Sequence, residues 1–207
     1  MHMPKPSDKH SRLSPLVGEW SGSETLHPAP WDPAGGTAAA RVVNRHILDG
    51  FGVVQEYEQS RDGTVTFRGH GVFWYDEQAQ EYVMTWWDSM GGRGTHYRGQ
   101  FDGDRLVLGA PMPQGGHSRA IFDVGTPGQY GFLMEVSTDG ASWSPAMEGT
   151  YARRRTSKTS ARKAPPKKAA AKSKKAAART SASKKPAARR KAAPKAKAKT
   201  KARGKRR

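Results

Sequence analysis

Residues 64–75 alternate between two sets of side chains at a period of two, the spacing of an extended strand rather than a helix. Val65, Phe67, Gly69, Gly71, Phe73 and Tyr75 share one face, and Thr66, Arg68, His70, Val72 and Trp74 share the other. Both faces hold large apolar groups, so the pattern leaves open which of them points inward. Comparable β-rich runs recur at 18–26, 39–48, 52–60, 81–88, 95–101, 105–108, 118–124, 129–137 and 143–154. Four of the connections contain Asp-Gly, at Asp49-Gly50, Asp62-Gly63, Asp102-Gly103 and Asp139-Gly140. Asp tolerates a positive φ and Gly adopts it freely, so these pairs suit tight hairpin turns. The glycines at 91–92 and within 125–128 are weaker turn signals. No run has a persuasive 3.6-residue period, although 11–17 has room for one helical turn before the first strand, limited by Pro15. About ten sequential hairpin strands predict an all-β fold, an antiparallel up-and-down barrel, because closing the sheet removes its exposed edges.

Charge then divides the chain. Of its 36 Lys and Arg, 25 lie within 152–207, a stretch with none of the 18 Asp and Glu. The remaining 151 residues therefore carry 11 basic against 18 acidic groups and are net negative. The basic stretch contains 17 alanines but no aromatic residue and no Leu, Ile, Val or Met. Without larger apolar side chains it cannot offset the entropy of ordering its backbone, so 155–207 is expected to be a disordered tail. The domain expectation is thus a flexible segment 1–11, a barrel over 12–154 and this tail. A dense run of like charge calls for an anionic partner, and nucleic acid is the commonest. The candidate phosphate contacts are Arg153, Arg154 and Arg155 at its start, then Lys163, Lys167, Lys168, Lys174, Lys175, Lys184 and Lys185. Arg189, Arg190, Lys191, Lys205, Arg206 and Arg207 complete the set. With no ring to stack on bases, such a tail reads backbone charge and not sequence, and DNA is the preferred partner over RNA. There is no cysteine, which fits a reducing compartment. No apolar leader and no run of 18 apolar residues is visible, so no membrane partner is expected, and the expected location is cytoplasmic and nucleoid-associated.

Leu16-Val17-Gly18-Glu19-Trp20-Ser21-Gly22 resembles the Gly-x-Trp first strand of calycin barrels, the lipocalin and fatty-acid-binding-protein group. Trp74-Tyr75-Asp76, the run Tyr82-Val83-Met84-Thr85-Trp86-Trp87-Asp88-Ser89-Met90-Gly91 and the closing Glu148-Gly149-Thr150-Tyr151-Ala152-Arg153-Arg154 resemble a bacterial barrel family of unknown function. The similarity spans about residues 12–154. It implies a closed barrel in which a basic residue of the last strand, with Arg153 the candidate, packs on the first-strand Trp20. The tail resembles the Lys/Ala/Pro-rich tails of linker histones.

Candidate chemistry is sparse. The seven histidines have no metal-ligand spacing, and Gly-x-Ser-x-Gly and Gly-x-Gly-x-x-Gly are both absent. No cofactor is expected. Haem, held in the similar nitrobindin barrels by a late histidine, is disfavoured because no histidine follows His117. The candidate ligand wall is Trp20, His70, Trp74, Trp86, His96 and Glu135, indoles for contact area and polar groups for orientation, at a barrel mouth of the kind small molecules use. The competing expectation is a barrel packed solid with side chains. The functional expectation is a small-molecule-binding or interaction barrel tethered to nucleic acid. The alternative is an enzyme acting on an apolar molecule inside the barrel.

Overall fold

The structure, a computed structural model, describes residues 3–29, 32–113 and 115–154. The expected runs form ten strands: β1 (Gly18–Leu26), β2 (Gly36–Ile47), β3 (Gly52–Arg61), β4 (Thr64–Asp76), β5 (Glu81–Asp88), β6 (Thr95–Asp102), β7 (Arg105–Pro111), β8 (His117–Asp123), β9 (Gln129–Ser137) and β10 (Ser144–Arg153). Each pairs antiparallel with the next, and β1 pairs with β10 to close the barrel. The closing seam sets Trp20 opposite Arg153 and Leu26 opposite Met147. Asp62 and Gly63 both take positive φ, 49° and 75°, in the β3–β4 turn, the conformation expected of Asp-Gly. Strand β7 runs three residues past the expected stretch. Its continuation is Gly109-Ala110-Pro111, small residues whose β signal is weak although Ala110 is buried.

Burial settles which face is inside. On β4, Gly69, Gly71, Phe73 and Tyr75 are buried, while His70, Val72 and Trp74 are only partly covered. The inward set over 67–75 is therefore the Phe67–Phe73 parity, and His70, Val72 and Trp74 look outward. The β3–β4 register shifts at Gln59–Ser60, and Thr66 beside it reaches the barrel interior.

One end of the barrel is closed by the segment that precedes β1. Helix α1 (Asp8–Ser11) starts at Ser7, whose backbone N–H donates to His10 Nδ1 at 3.1 Å. A 3₁₀ turn, Ser14–Leu16, follows with Pro15 in its first positions, where a missing N–H costs nothing. Leu13 and Leu16 are fully buried, and so is His10, edge-on to Phe51 at 5.0 Å and to Tyr75 at 5.7 Å. The Tyr82 hydroxyl donates to Lys9 O at 2.9 Å, and the Arg12 guanidinium lies 4.2 Å from the centre of the Phe101 ring. The floor thus takes in residues 8–11, part of the segment expected to be free, because His10 and Leu13 have apolar surface to bury against the strands. Helix also begins earlier than the expected 11–17. Above the floor, Trp20, Phe73, Tyr75, Tyr82, Leu106 and Leu108 fill the lower barrel. Among the described residues no helix is long and apolar enough to cross a membrane.

Candidate ligand cavity

The upper barrel is hollow. It encloses a cavity of about 560 Å³, within the range of small-molecule sites. Phe67, Met84, Trp86, Phe122, Phe132 and Met134 belong to its apolar wall, with the small Ala120 and Ala146 beside them. Glycines on β4 seat the indole of Trp86. A Cβ at Gly69 would lie 2.0 Å from Trp86 Cζ2, and one at Gly71 would lie 3.2 Å from Trp86 Cε3. The mouth is ringed by Leu26, Met90, Met112 and Met147, with an Asp32–Arg61 ion pair beside them. Asp88, also at the mouth, accepts the Trp86 indole N–H at 3.3 Å.

A carboxylate is buried behind this wall. Glu24 on β1 is 2% exposed. The Tyr57 hydroxyl lies 2.8 and 2.7 Å from its two oxygens, Gln59 Nε2 donates to it at 2.7 Å, and the Tyr151 hydroxyl donates to it as well. Tyr151 stacks on Tyr130 with ring centroids 4.6 Å apart, and Tyr130 meets Trp20 edge-on at 5.0 Å. Burial first, and the Glu24 charge second, push the Tyr57 and Tyr151 phenols well above their ordinary value, and Tyr130 shifts the same way. These hydroxyls stay protonated, and so remain donors, at neutral pH. Tyr57, Gln59, Tyr130 and Tyr151 all line the cavity, as do Gln55, Tyr97 and Ser118. Gln55 and Tyr130 are almost fully buried as residues, and both face the cavity.

The residues singled out from sequence are dispersed. Trp86 is in the wall. Trp20 lies beneath the cavity, where its indole N–H donates to Leu16 O at 2.8 Å and the Arg153 guanidinium sits 4.3 Å over its ring. The remaining four have the outward parity. His70 pairs with Glu56 at 3.0 Å, and Trp74 stacks on Phe51 at 6.0 Å. His96 Nδ1 is 3.0 Å from Thr85 Oγ1, and Glu135 accepts from Arg119 Nε at 2.6 Å. None of the four lines the cavity. Nor does any described histidine, and no group of three or more His, Asp or Glu among the described residues is placed to hold a metal ion. Of the candidate phosphate contacts, Arg153 is engaged with Trp20, and Arg154 is exposed, its backbone N–H on Glu19 O at 2.7 Å. Arg155 and the tail residues beyond it lie outside the described residues.

Sequence reasoning missed Glu24, Gln55, Tyr57, Gln59, Tyr130 and Tyr151. The signal for Glu24 was parity: a strand that buries Trp20 also turns Glu24, four residues on, to the same face. On β3 the same rule groups Val53, Gln55, Tyr57 and Gln59, all inward except that their face was unassigned.

A search of curated proteins returns no match. Among solved structures the chain is similar to Rv2717c from M. tuberculosis, with 15% identity and a TM-score of 0.52, covering 72% of this chain and 99% of that one. It is also similar to the S-type phycobiliprotein lyase CPES from Guillardia theta, with 13% identity and a TM-score of 0.48, covering 73% of this chain and 100% of that one. At such identities the first likeness is one of fold alone, and the second adds nothing to it. The family model described as "Protein of unknown function (DUF1579)" matches residues 5–153, from the floor segment to the end of β10, and the chain belongs to that family.

Proposed function

We propose that the barrel binds a small, largely apolar molecule in its upper cavity, and that the basic segment after β10 tethers it to nucleic acid. The observation that carries the first part is the hollow itself: about 560 Å³ of space, open at one end and walled by aromatic and methionine side chains. Aromatic walls provide large contact area at low conformational cost, and methionines at the mouth adapt to different shapes. Gln55 and Tyr130 add polar groups to the lining, placed to meet a polar atom of a ligand. Glu24 is held by three donors, which suits an anchor of the wall better than a proton-transfer group, so binding rather than turnover is the reading. The tether rests on the 24 cationic residues of 154–207.

Titration of the full chain with the neutral dye Nile red tests the binding reading. Saturable fluorescence enhancement at one site per chain is expected, with a Kd on the order of 10 μM, from about 0.3 kcal/mol per non-hydrogen atom. Absence of saturable binding at 100 μM protein would refute it.

A further inference from the structure

Resting on that reading, we infer that the cavity selects organic cations, an aromatic or alicyclic body bearing an ammonium group, and rejects carboxylate amphiphiles of the same shape. Charge around the cavity is one-sided. Asp32 and Asp88 lie in the lining, and Glu24 lies one side chain behind it, held by the lining residues Tyr57, Gln59 and Tyr151. Against these three carboxylates stands a single cation: Arg61 is the only described Lys, Arg or His that lines the cavity, and it is paired to Asp32. A fatty-acid anion would therefore enter a low-dielectric space with no free counter-charge, and a buried charge without a partner is strongly disfavoured. A cation meets the opposite situation. Its charge faces Glu24 across one layer of side chains, and the wall presents aromatic faces on which cations sit favourably.

The rings that would receive it are clustered near that carboxylate. Tyr57, whose hydroxyl is on Glu24, has Phe67 at 5.9 Å and Trp86 at 5.9 Å between ring centroids. Asp88, on the indole N–H of the same Trp86, adds negative charge at the mouth. Three aromatic rings with carboxylates at both sides make a receptor for a cation, and among the described residues no unpaired cation lines the cavity to serve an anion.

The test is displacement of Nile red from the full chain by three competitors that share a naphthyl body: 1-naphthylmethylamine, 1-naphthylmethanol and 1-naphthylacetate, at neutral pH. Displacement reports the cavity, so an anion captured by the basic tail does not register. The ammonium compound is expected to compete at least tenfold more tightly than the carboxylate, with the alcohol between them. A carboxylate that competes as well as or better than the amine overturns the inference while leaving apolar binding intact. If Nile red does not bind saturably, both readings fall. In Glu24→Gln the ranking is expected to flatten to within about threefold, and a full ranking in a folded Glu24→Gln chain would remove Glu24 as its source. The wild-type ranking decides the charge selectivity whether or not that variant folds.

Discussion

A single methyl group at Gly69 would overlap the indole of Trp86, and the free space on the far side of that indole is the cavity. Gly69→Ala should therefore push the ring inward, weaken Nile red binding severalfold and shift the tryptophan emission. Unchanged affinity with unchanged emission would show that the indole has room elsewhere. Trp20 has a different task. It is buried to 1%, its N–H is satisfied by Leu16 O, and Arg153 covers its outer face. Truncation of such a side chain costs roughly 3–5 kcal/mol, so Trp20→Ala should lose that much in denaturant unfolding and little affinity per folded molecule. A loss under 1 kcal/mol would contradict its place at the seam. These two tryptophans mark what was legible at this scale. The Gly-x-Trp pattern pointed to Trp20 and its Arg153 partner, and Trp86 was among the expected wall residues. His70, Trp74, His96 and Glu135 were misplaced because a strand with apolar groups on both faces gives residue types without direction, and the outer apolar groups here are covered locally. Trp74, for instance, is covered by Phe51 and His10.

At the scale of elements, β1, β3, β9 and β10 bring Glu24, Tyr57, Tyr130 and Tyr151 together although the last lies 127 residues from the first. Such a cluster exists only through register, which is why the strands were legible in the sequence and their meeting point was not. The strand bounds of β1, β5 and β9 follow the alternating runs closely, since each is ended by a turn signal. β7 and the start of β2 extend through Gly, Ala and Pro, whose small side chains carry little pattern. The tyrosine cluster has a measurable consequence. Burial raises the phenols of Tyr57, Tyr97, Tyr130 and Tyr151 in the folded chain. A folded-state value above the unfolded one, about 10 for tyrosine, stabilises fully below pH ~10. That contribution is lost as pH rises past it, because the unfolded chain releases protons the folded chain keeps. The melting temperature should hold from pH 8 to 9.5 and fall steeply above about 10. A flat profile to pH 11.5 would mean that these hydroxyls ionise in place.

For the whole molecule, the division of charge matters most. Residues 1–151 hold all 18 acidic groups and 11 basic ones, and the rest of the chain holds 25 basic groups. Affinity for nucleic acid should therefore leave with the tail. If about ten cations engage phosphates together, log K for duplex DNA should fall against log salt with a slope near −9. A chain cut after Arg155 should bind at least a hundredfold more weakly, and equal affinity of the two would place the interface elsewhere. The barrel's part rests on its hollow, which composition could not reveal: the same aromatic count fills a solid barrel or lines an open one. Ala120 lies in the cavity wall and is buried to 3%. From β8, a strand that supplies none of the groups hydrogen-bonded to Glu24, Ala120→Phe puts a ring into the space a ligand needs. Nile red titration of this variant beside the wild-type chain, with circular dichroism to confirm a common β fold, is the most direct measurement. The expected result is saturable binding by the wild-type chain and at least a tenfold loss in the variant; equal affinity in the two folded proteins would contradict a ligand site inside the barrel.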